Sequence, residues 1–161
     1  MLVYPKVLQV ANKYDVPPEL LMALIDTESK FQPDAVGKAG EYGLMQIMPV
    51  VLQDWQRHNK RNLGSNSQLF DIDQNLEVGT WYLNRGLKRF EGFNQQEALA
   101  LCYYNAGPSR AVKWAKQDGT HFIETIPFSS TKAYVKKILA KKTFYTEWIR
   151  EYKESKEHEQ R

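Results

Sequence analysis

The sequence is poor in cysteine and contains no long apolar run. Cys102 is its single cysteine, which excludes an intrachain disulfide and a zinc site built on cysteine ligands. Its three histidines are scattered, and neither an HExxH motif nor a phosphate-binding glycine loop is present, so we expect no metal and no cofactor. No segment approaches the roughly 18–20 apolar residues that a membrane-spanning helix needs.

Neither sign of charge dominates the chain. The 22 basic and 19 acidic residues give a formal net charge of +3, and residues 132–161 carry nine basic against five acidic side chains. This excess is too weak for a dedicated nucleic-acid binder and is typical of a solvated, charged helix. The first residues have no basic leader and no long apolar run, so we do not expect a signal peptide there.

What the chain does have is apolar content at helical spacing. Apolar residues make up 42% of the 161 positions, which is enough for one domain with a core, and no convincing pair of strands is present. We therefore predict a compact, all-α single domain. Residues 1–145 form its folded unit, and residues 146–161 form a charged C-terminal helix or tail that frays from Lys153.

Six helical segments are predicted from this spacing. Pro5 and Pro18 fit the first turns of two helices, and Asp73 is the predicted N-cap of a third, in which Gly79 would let another helix approach closely. The other three cover residues 95–105, residues 109–117 and the chain from Thr131 onward. Glycine and proline predict loops over residues 32–43 and 119–128.

A carboxylate continues the apolar stripe of the second helix. Counted from Leu21, Glu28 falls at position i+7, after Leu24 and Ile25. Burial disfavours the charged carboxylate and raises its pKa, which is what a general acid needs to keep its proton near neutral pH. Periodicity alone also allows a glutamate at the helix end that points past the core or pairs with Lys30.

Polar residues also mark two later segments. Asn105 ends an apolar stripe in the segment YNAGP at residues 104–108, which indicates a cleft shared with Glu28; a C-cap beside Gly107 is the alternative. The segment GLMQIMP at residues 43–49 offers the amide of Gln46 and the adaptable side chain of Met45 for contact with a sugar. A structural turn with core methionines is the alternative there.

In this order, the three segments resemble the soluble lytic transglycosylases, a family of bacterial cell-wall enzymes with a goose-type lysozyme-like fold. The resemblance runs from about residue 5 to residue 140 and implies an enzyme that acts on peptidoglycan. The matching pieces are Glu28-Ser29, GLMQIMP, Asn75 and Gly79 with YL at residues 82–83, YNAGP, and IP at residues 126–127 followed by Thr131 and YV at residues 134–135.

The resemblance also implies roles for single residues. Glu28 matches the family's single catalytic acid and base, and Ser29 matches a serine that helps to polarise the substrate N-acetyl group. Tyr104 matches a tyrosine whose hydroxyl points at the reaction centre, and Tyr134 matches an aromatic residue that closes the site. Substrate contact is implied for four further positions: Met45, Gln46, Asn105 and a second cleft carboxylate, Glu124.

The implied reaction consumes no water and requires no metal or cofactor. Glu28 protonates the glycosidic oxygen between N-acetylmuramic acid and N-acetylglucosamine, and the muramic 6-hydroxyl then attacks internally to give a 1,6-anhydromuramoyl end. Two departures from the family pattern are visible: Cys102-Tyr103 stands where small or apolar residues are common, and Ser130-Thr131 stands where the family usually has Glu-Thr. The second departure weakens the assignment of Tyr134 more than it weakens the activity.

Two rival functions stay open. A goose-type lysozyme-like hydrolase would need a second carboxylate to activate water, and Asp34 and Glu41 are the candidates. The second rival is a non-catalytic peptidoglycan-binding module of an envelope assembly. Binding alone would gain little from a buried carboxyl group such as Glu28.

The implied substrate also sets the expected location and partners. We expect the chain to act in the bacterial cell envelope, in the periplasm, or to be a phage or secretion-system component that reaches the wall by another route. Its expected partner is the peptidoglycan glycan strand and not nucleic acid, and we expect a monomer without a transmembrane segment.

Overall fold

Proline begins several of the helices. Pro5, Pro18, Pro49 and Pro108 each lie in a first turn, where the backbone N–H has no helical acceptor and the fixed φ of proline already suits a helix. The computed structural model describes residues 2–159, so Met1 and the last two residues of the predicted tail lie outside it.

Within residues 2–159 the chain forms eight α-helices and two 3₁₀ helices, and the predicted all-α fold is confirmed. The α-helices are α1 (Tyr4–Tyr14), α2 (Pro18–Ser29), α3 (Pro49–Asn59), α4 (Ile72–Arg89), α5 (Gln96–Ala106), α6 (Pro108–Trp114), α7 (Phe122–Thr125) and α8 (Ser129–Glu159). The 3₁₀ helices are Asn66–Phe70 and Ala115–Gln117. None of the helices in this range combines the length and the apolar character needed to cross a bilayer.

Helix α2 forms the centre of the core. Residues 20–25 are all fully buried, because α8 packs along one side of α2 and α1 packs on another. Helix α4 packs against α5 and α1, and the two helices α4 and α5 come close at Gly86, where an added Cβ would lie 3.2 Å from backbone atoms of Ala100. Helix α2 therefore presents its last turn, which contains Glu28, between α8 and the loop that follows.

The start of the chain packs against the far end of α8. The ring of Tyr4 makes edge-to-face contacts with Trp148 and Tyr152, at centroid distances of 5.1 and 5.0 Å. The predicted boundary at residue 145 falls inside this continuous helix, and the division into residues 1–145 and 146–161 stays a prediction. The expected fraying from Lys153 is not seen, because α8 remains helical through Glu159.

Three local predictions need correction. The N-cap of α4 is Asp71, whose side chain accepts a 2.9 Å hydrogen bond from the backbone N–H of Gln74, while Asp73 pairs with Lys6. The short helix α7 lies inside the predicted loop over residues 119–128. Gly79 makes room for a loop residue, described below, and not for another helix.

Candidate active site

Glu28 lies in the last turn of α2 and faces α8. Its Oε1 atom accepts a 2.6 Å hydrogen bond from the hydroxyl of Tyr134, which lies in the second turn of α8 and 106 residues later in the chain. The Glu28 side chain continues the buried stripe of α2 but keeps part of its surface accessible. The carboxyl group is thus held in place and can still be reached by a ligand.

The pKa of Glu28 results from opposing effects. The pKa of the carboxyl is raised to about 7. Burial raises it, the hydrogen bond from Tyr134 lowers it, and the negative charge of Glu41 raises it. Burial is the largest of the three, since the charged form loses most of its hydration between α2 and α8. A carboxyl group with a pKa near neutrality can give up a proton in one step and take one back in the next.

Tyr104 lies near enough to this carboxyl group to be affected by its charge. Its hydroxyl donates a 2.7 Å hydrogen bond to the backbone carbonyl of Met45. Burial and the nearby charge of Glu28 raise the pKa of both Tyr104 and Tyr134 well above the ordinary value. Both phenols therefore stay protonated and act as hydrogen-bond donors over the working pH range.

A buried asparagine on α4 anchors the loop over residues 43–47. Asn75 donates from Nδ2 to the carbonyls of Tyr42 and Leu69, at 2.9 and 2.7 Å, and accepts at Oδ1 from the N–H of Met45 at 2.8 Å. Its side chain meets three separate backbone groups, so the loop has one preferred position. This anchor places the Met45 carbonyl where Tyr104 can donate to it.

Unusual backbone conformations surround Glu28. Lys30 and Phe31 directly follow α2 and have φ values of +52° and +61°, and Gln46 has a φ of +49°. Non-glycine residues with positive φ are uncommon and concentrate at functional sites. The turn they form lets the Ser29 hydroxyl donate to the carbonyl of Leu44 at 2.7 Å, which ties the end of α2 to the loop.

Asn105 and Thr131 form a second polar contact at the ends of α5 and α8. The side-chain oxygen of Asn105 accepts a 2.8 Å hydrogen bond from the Thr131 hydroxyl. Thr131 is buried and Asn105 is exposed, so the amide group is fixed on one side and open to solvent on the other. The C-cap of α5 is Gly107.

The family model described as the Transglycosylase SLT domain matches residues 6–126, roughly three quarters of the chain. The chain belongs to this family. Within the SLT match lie Glu28, the loop over residues 43–47, Asn75 and the YNAGP segment. Tyr134 lies outside the residues matched by the family model, so its place in the site rests on the structure and on the sequence resemblance at residues 134–135.

Relatives of this SLT chain carry transglycosylase names. It is 32% identical over 157 residues to the soluble lytic murein transglycosylase of Escherichia coli, a match that covers 86% of this chain and 24% of the relative. It is 30% identical over 128 residues to the membrane-bound lytic murein transglycosylase C of Serratia proteamaculans, covering 76% of this chain and 36% of the relative. The chain thus spans about a quarter to a third of these proteins.

Solved structures of the SLT family share the fold. The lytic transglycosylase Slt of Pseudomonas aeruginosa, solved as an inactive glutamate-to-glutamine mutant, matches with a TM-score of 0.82 and 31% identity, over 91% of this chain and 24% of the other. The 70 kDa soluble lytic transglycosylase of Escherichia coli matches with a TM-score of 0.82 and 30% identity, over 90% and 24%. These matches confirm the predicted lysozyme-like helical fold.

Met45 and Gln46, the two loop residues predicted to contact a sugar, make contacts that hold the loop in place. The Met45 side chain has no exposed surface and packs against Thr80 and Gly79, where an added Cβ would lie 2.9 Å from the Met45 Cβ. The amide of Gln46 donates to the carbonyls of Ala35 and Gly43, at 3.2 and 3.0 Å. These contacts shape the wall of the site beside Glu28.

Glu124 lies in the short helix α7. Its carboxylate forms a 2.6 Å ion pair with Lys136, and the Glu124 side chain is 62% exposed. The hydrogen bond from Lys136 and the charge of that lysine lower the pKa of Glu124, so the carboxylate is ionised near neutral pH.

The structure gives two residues roles that the sequence does not reveal. The sequence suggests Glu41 only as a base for water, yet its charge also raises the pKa of Glu28, and its carboxylate is held by a 3.0 Å hydrogen bond from the N–H of Ala39. Asn75 belongs to the resemblance, but its anchoring role appears only in the structure. The available sequence signal is a polar residue between apolar Ile72 and Leu76.

Proposed function

We propose that this chain is a peptidoglycan lytic transglycosylase domain in which Glu28 is first the acid and then the base. The observation that carries the proposal is the state of one carboxyl group. Glu28 has a pKa raised to about 7, accepts a hydrogen bond from Tyr134 and lies in a chain of the SLT family. A group of this kind suits a reaction that both delivers and removes a proton.

In the first step, the protonated Glu28 carboxyl gives its proton to the glycosidic oxygen between N-acetylmuramic acid and N-acetylglucosamine. The bond from C1 of the muramic sugar to that oxygen breaks, and the N-acetylglucosamine end leaves with a new hydroxyl. The carbonyl oxygen of the muramic N-acetyl group stabilises the positive charge at C1. A second catalytic carboxylate is not needed for this assistance.

In the second step, the Glu28 carboxylate takes the proton from the muramic 6-hydroxyl. The 6-oxygen then bonds to C1 and closes a 1,6-anhydromuramoyl end, which restores the protonated carboxyl. The nucleophile belongs to the same sugar, so its capture has an entropic advantage over capture of water. Tyr134 holds Glu28 by donating to its Oε1 atom in the carboxylate state.

The remaining predicted residues take contact or supporting roles in this proposal. Asn105 offers its exposed amide to the N-acetyl group, Gln46 lines the wall, and Glu124 binds the strand at a distance from the reaction centre. Ser29 and Met45 act through the loop that their hydrogen bonds hold, since the Met45 side chain is fully buried. Tyr104 orients the Met45 carbonyl and keeps its ring beside Glu28.

The names of the relatives support the proposal. The curated relatives are murein transglycosylases, and the Pseudomonas aeruginosa structure is an inactive mutant in which one glutamate became glutamine. Because this chain spans only about a quarter to a third of those proteins, we propose substrate and activity for the domain alone.

The test is a digest of purified peptidoglycan, with the released muropeptides weighed by mass spectrometry. We expect products with an anhydro end, which are about 18 Da lighter than hydrolysed ones. The Glu28→Gln variant should fold and release nothing, because glutamine cannot transfer the proton. Unchanged cleavage by that variant would remove Glu28 from the mechanism, and no products from the wild type would favour a binding module.

A hydrolytic reaction is the second candidate, and the position of Glu41 is the observation that favours it. Its negative charge raises the pKa of Glu28, so Glu41 is the candidate for the second carboxylate that would activate a water molecule. Products with a reducing end, lost in Glu41→Gln and kept in Asp34→Asn, would establish this reaction. Anhydro products from Glu41→Gln would exclude it.

The proposed substrate also implies where in the cell the protein acts. Peptidoglycan lies in the bacterial cell envelope, so we propose that the chain acts there, in the periplasm or as part of a phage or secretion apparatus. The proposed active site is built from residues of one chain, α2, the loop over residues 43–47, α5 and α8, which is consistent with a monomer.

A further inference from the structure

The carboxylate of Glu41 lies over Gly37, a residue with no side chain. A Cβ added to Gly37 would lie 2.0 Å from the Oε2 atom of Glu41 and 2.7 Å from the Oε1 atom of Gln46. Gly37 does not have a positive φ, so its backbone conformation is open to any residue. The glycine therefore makes room for the carboxylate, and the Glu41 and Gln46 oxygens are neighbours over the same residue.

Backbone contacts fix the position of Glu41. Gly37 donates from its N–H to the carbonyl of Glu41 at 2.9 Å, and Val36 and Tyr42 form an antiparallel bridge on either side of this turn. The Glu41 carboxylate itself accepts from the N–H of Ala39 at 3.0 Å. Glu41 is thus held at its backbone and at its side chain.

The negative charge of Glu41 has no cationic partner in the part of the chain that the structure describes. None of the ion pairs found within residues 2–159 includes Glu41 or Glu28. Both side chains, and that of Gln46, also keep part of their surface accessible. A ligand at this site therefore meets a carboxylate whose charge is not neutralised by an ion pair.

The contacts of the loop place Glu41 close to the proposed reaction centre. Gln46 directly follows Met45, whose carbonyl accepts the 2.7 Å hydrogen bond from Tyr104. Tyr104 is near enough to Glu28 to be affected by its charge. The charge of Glu41 in turn raises the pKa of Glu28, which agrees with this placement.

We propose that the Glu41 carboxylate faces the muramic sugar and stabilises the positive charge that develops at its C1 atom; this inference rests on the proposed function. The bond from C1 to the glycosidic oxygen breaks as Glu28 delivers its proton, and the sugar becomes positively charged while Glu41 neither gives nor takes a proton. The N-acetyl oxygen gives its own assistance, and the fixed charge of Glu41 adds to it. This attraction is stronger in the transition state than in the uncharged ground state.

This role differs from activation of water and from binding alone. A base for water takes a proton and leads to products with a reducing end, whereas a charge that stabilises C1 leaves the anhydro product unchanged. A residue that binds the ground state and the transition state equally changes KM, and a residue that acts only in the transition state changes kcat.

The first test measures kcat and KM of Glu41→Gln on glycan strands, on the low-pH plateau where Glu28 is protonated in both proteins. We expect anhydro products, a KM within about twofold of the wild type and a kcat lower by roughly ten- to fiftyfold, as for one charge several ångströms from the reacting atom. A wild-type kcat, or a change in KM alone, would overturn the inference. Reducing-end products that disappear in the variant would also overturn it.

Glu91→Gln is the matched control. Glu91 is an exposed carboxylate that follows α4, and its removal changes the net charge by the same amount. This variant should keep the kcat and KM of the wild type. An equal loss of kcat in both variants would reduce the effect to net charge and overturn a role for Glu41.

Gly37→Ala tests the position of the carboxylate without changing any charge. The added Cβ would displace the Glu41 carboxylate, so kcat should fall as in Glu41→Gln, again with anhydro products. In Glu41→Ala the carboxylate is gone, and the addition of Gly37→Ala there should cause a much smaller further loss. Equal losses in the two backgrounds would mean that Gly37 acts without Glu41 and would overturn the inference.

Binding of a charged ligand keeps the inference separate from cleavage. An N-acetylated sugar analogue with an amidinium group in its ring, and the neutral lactam of the same shape, are titrated into each protein by calorimetry. At about pH 8.5 Glu28 is ionised in most molecules of both proteins, so the variants differ only at Glu41. We expect the wild type to prefer the amidinium, and this preference to fall roughly five- to tenfold in Glu41→Gln and to persist in Glu91→Gln.

The two proposals can fail separately in this experiment. Equal preference for the amidinium in the wild type and in Glu41→Gln would overturn the role of Glu41 even if cleavage occurs. A preference that depends on Glu41, in a protein that releases no anhydro products, would overturn only the proposed function.

Discussion

At the scale of single residues, the site depends on the balance of effects on one carboxyl group. Burial between two helices raises the pKa of Glu28, and the hydroxyl of Tyr134 lowers it, which leaves a value of about 7. The sequence indicates Glu28 because this carboxylate occupies a position on the apolar stripe of α2. Tyr134 could not be found from spacing, since periodicity describes one helix and the partner lies 106 residues away.

The raised pKa of Glu28 predicts a pH-dependent gain in stability for Glu28→Gln. Folding raises this pKa from 4.5 to about 7, so ionisation destabilises the folded wild type progressively as the pH rises between those values. Glutamine does not ionise and still accepts from Tyr134. The variant should match the wild type below about pH 4.5 and exceed it by roughly 2–3 kcal/mol above pH 7.

Urea unfolding of both proteins at several pH values measures this difference. A stability difference that stays constant from pH 4 to pH 8 would contradict the raised pKa, whatever the activity of the variant.

Tyr134→Phe should move the pH dependence of cleavage. In the proposed mechanism the acid form of Glu28 starts the reaction, so we expect the rate to fall as the pH rises through its pKa. Removal of the Tyr134 hydroxyl removes the hydrogen bond that lowers this pKa, and the fall should occur at higher pH. The measurement is the pH profile of kcat/KM on peptidoglycan.

Tyr104→Phe is the matched control for that profile. Its hydroxyl donates to the carbonyl of Met45 and not to Glu28, so this variant should slow turnover without moving the profile. Identical shifts in both variants would mean that Tyr134 has no specific effect on Glu28.

At the scale of elements, most of the helices could be predicted from periodicity, and their ends could not. The helices α1, α2, α5 and α8 follow long apolar stripes. The sequence predicts the N-cap of α4 at Asp73 instead of Asp71, because aspartate favours this position at either site and only the tertiary contact with Lys6 separates their roles. Periodicity does not predict α3, since its buried set is only Val51, Leu52 and Trp55.

Gly79→Ala should displace the site loop. An added methyl group on α4 would press on the Met45 side chain, which is fully buried and has no free space to enter. We expect a loss of roughly 1–3 kcal/mol in the free energy of unfolding and a larger relative loss of cleavage, because the Met45 carbonyl moves away from Tyr104.

Thermal unfolding and kcat measure the two effects of Gly79→Ala. In Met45→Ala/Gly79→Ala the clash is relieved, so part of the lost cleavage should return. A wild-type melting temperature for Gly79→Ala alone would contradict close packing of the loop on α4.

At the scale of the whole molecule, α8 holds the other helices together. The basic excess of residues 132–161 was interpreted as a solvated face, but part of it is structural. Lys141 pairs with Asp26 of α2 at 2.8 Å, and Lys142 pairs with Glu97 of α5 at 2.6 Å, with all four side chains at most 30% exposed. Composition gives the number of charges, whereas their pairing depends on the three-dimensional packing.

Asp26→Asn should therefore weaken the attachment of α8. Asp26 accepts from Lys141 and from the Tyr145 hydroxyl at 3.0 Å, and removal of its charge leaves Lys141 partly buried without a counterion. We expect a loss of roughly 1–3 kcal/mol, measured by urea unfolding. In Glu147→Gln the lost pair with Arg150 is exposed, and that variant should stay within about 0.5 kcal/mol of the wild type. Equal effects of the two changes would contradict a special role for Asp26.

The long separation between Glu28 and Tyr134 has a consequence for how the protein reaches its working form. The α2–α8 contact closes a loop of more than a hundred residues. We expect such a contact to form late in folding, because closing a long loop costs chain entropy before many stabilising contacts have formed. After dilution from denaturant, helical circular dichroism should recover first and cleavage last, in step with quenching of Trp148 beside Tyr4. Cleavage that returns before this tryptophan signal would mean that the α2–α8 contact forms without the rest of α8.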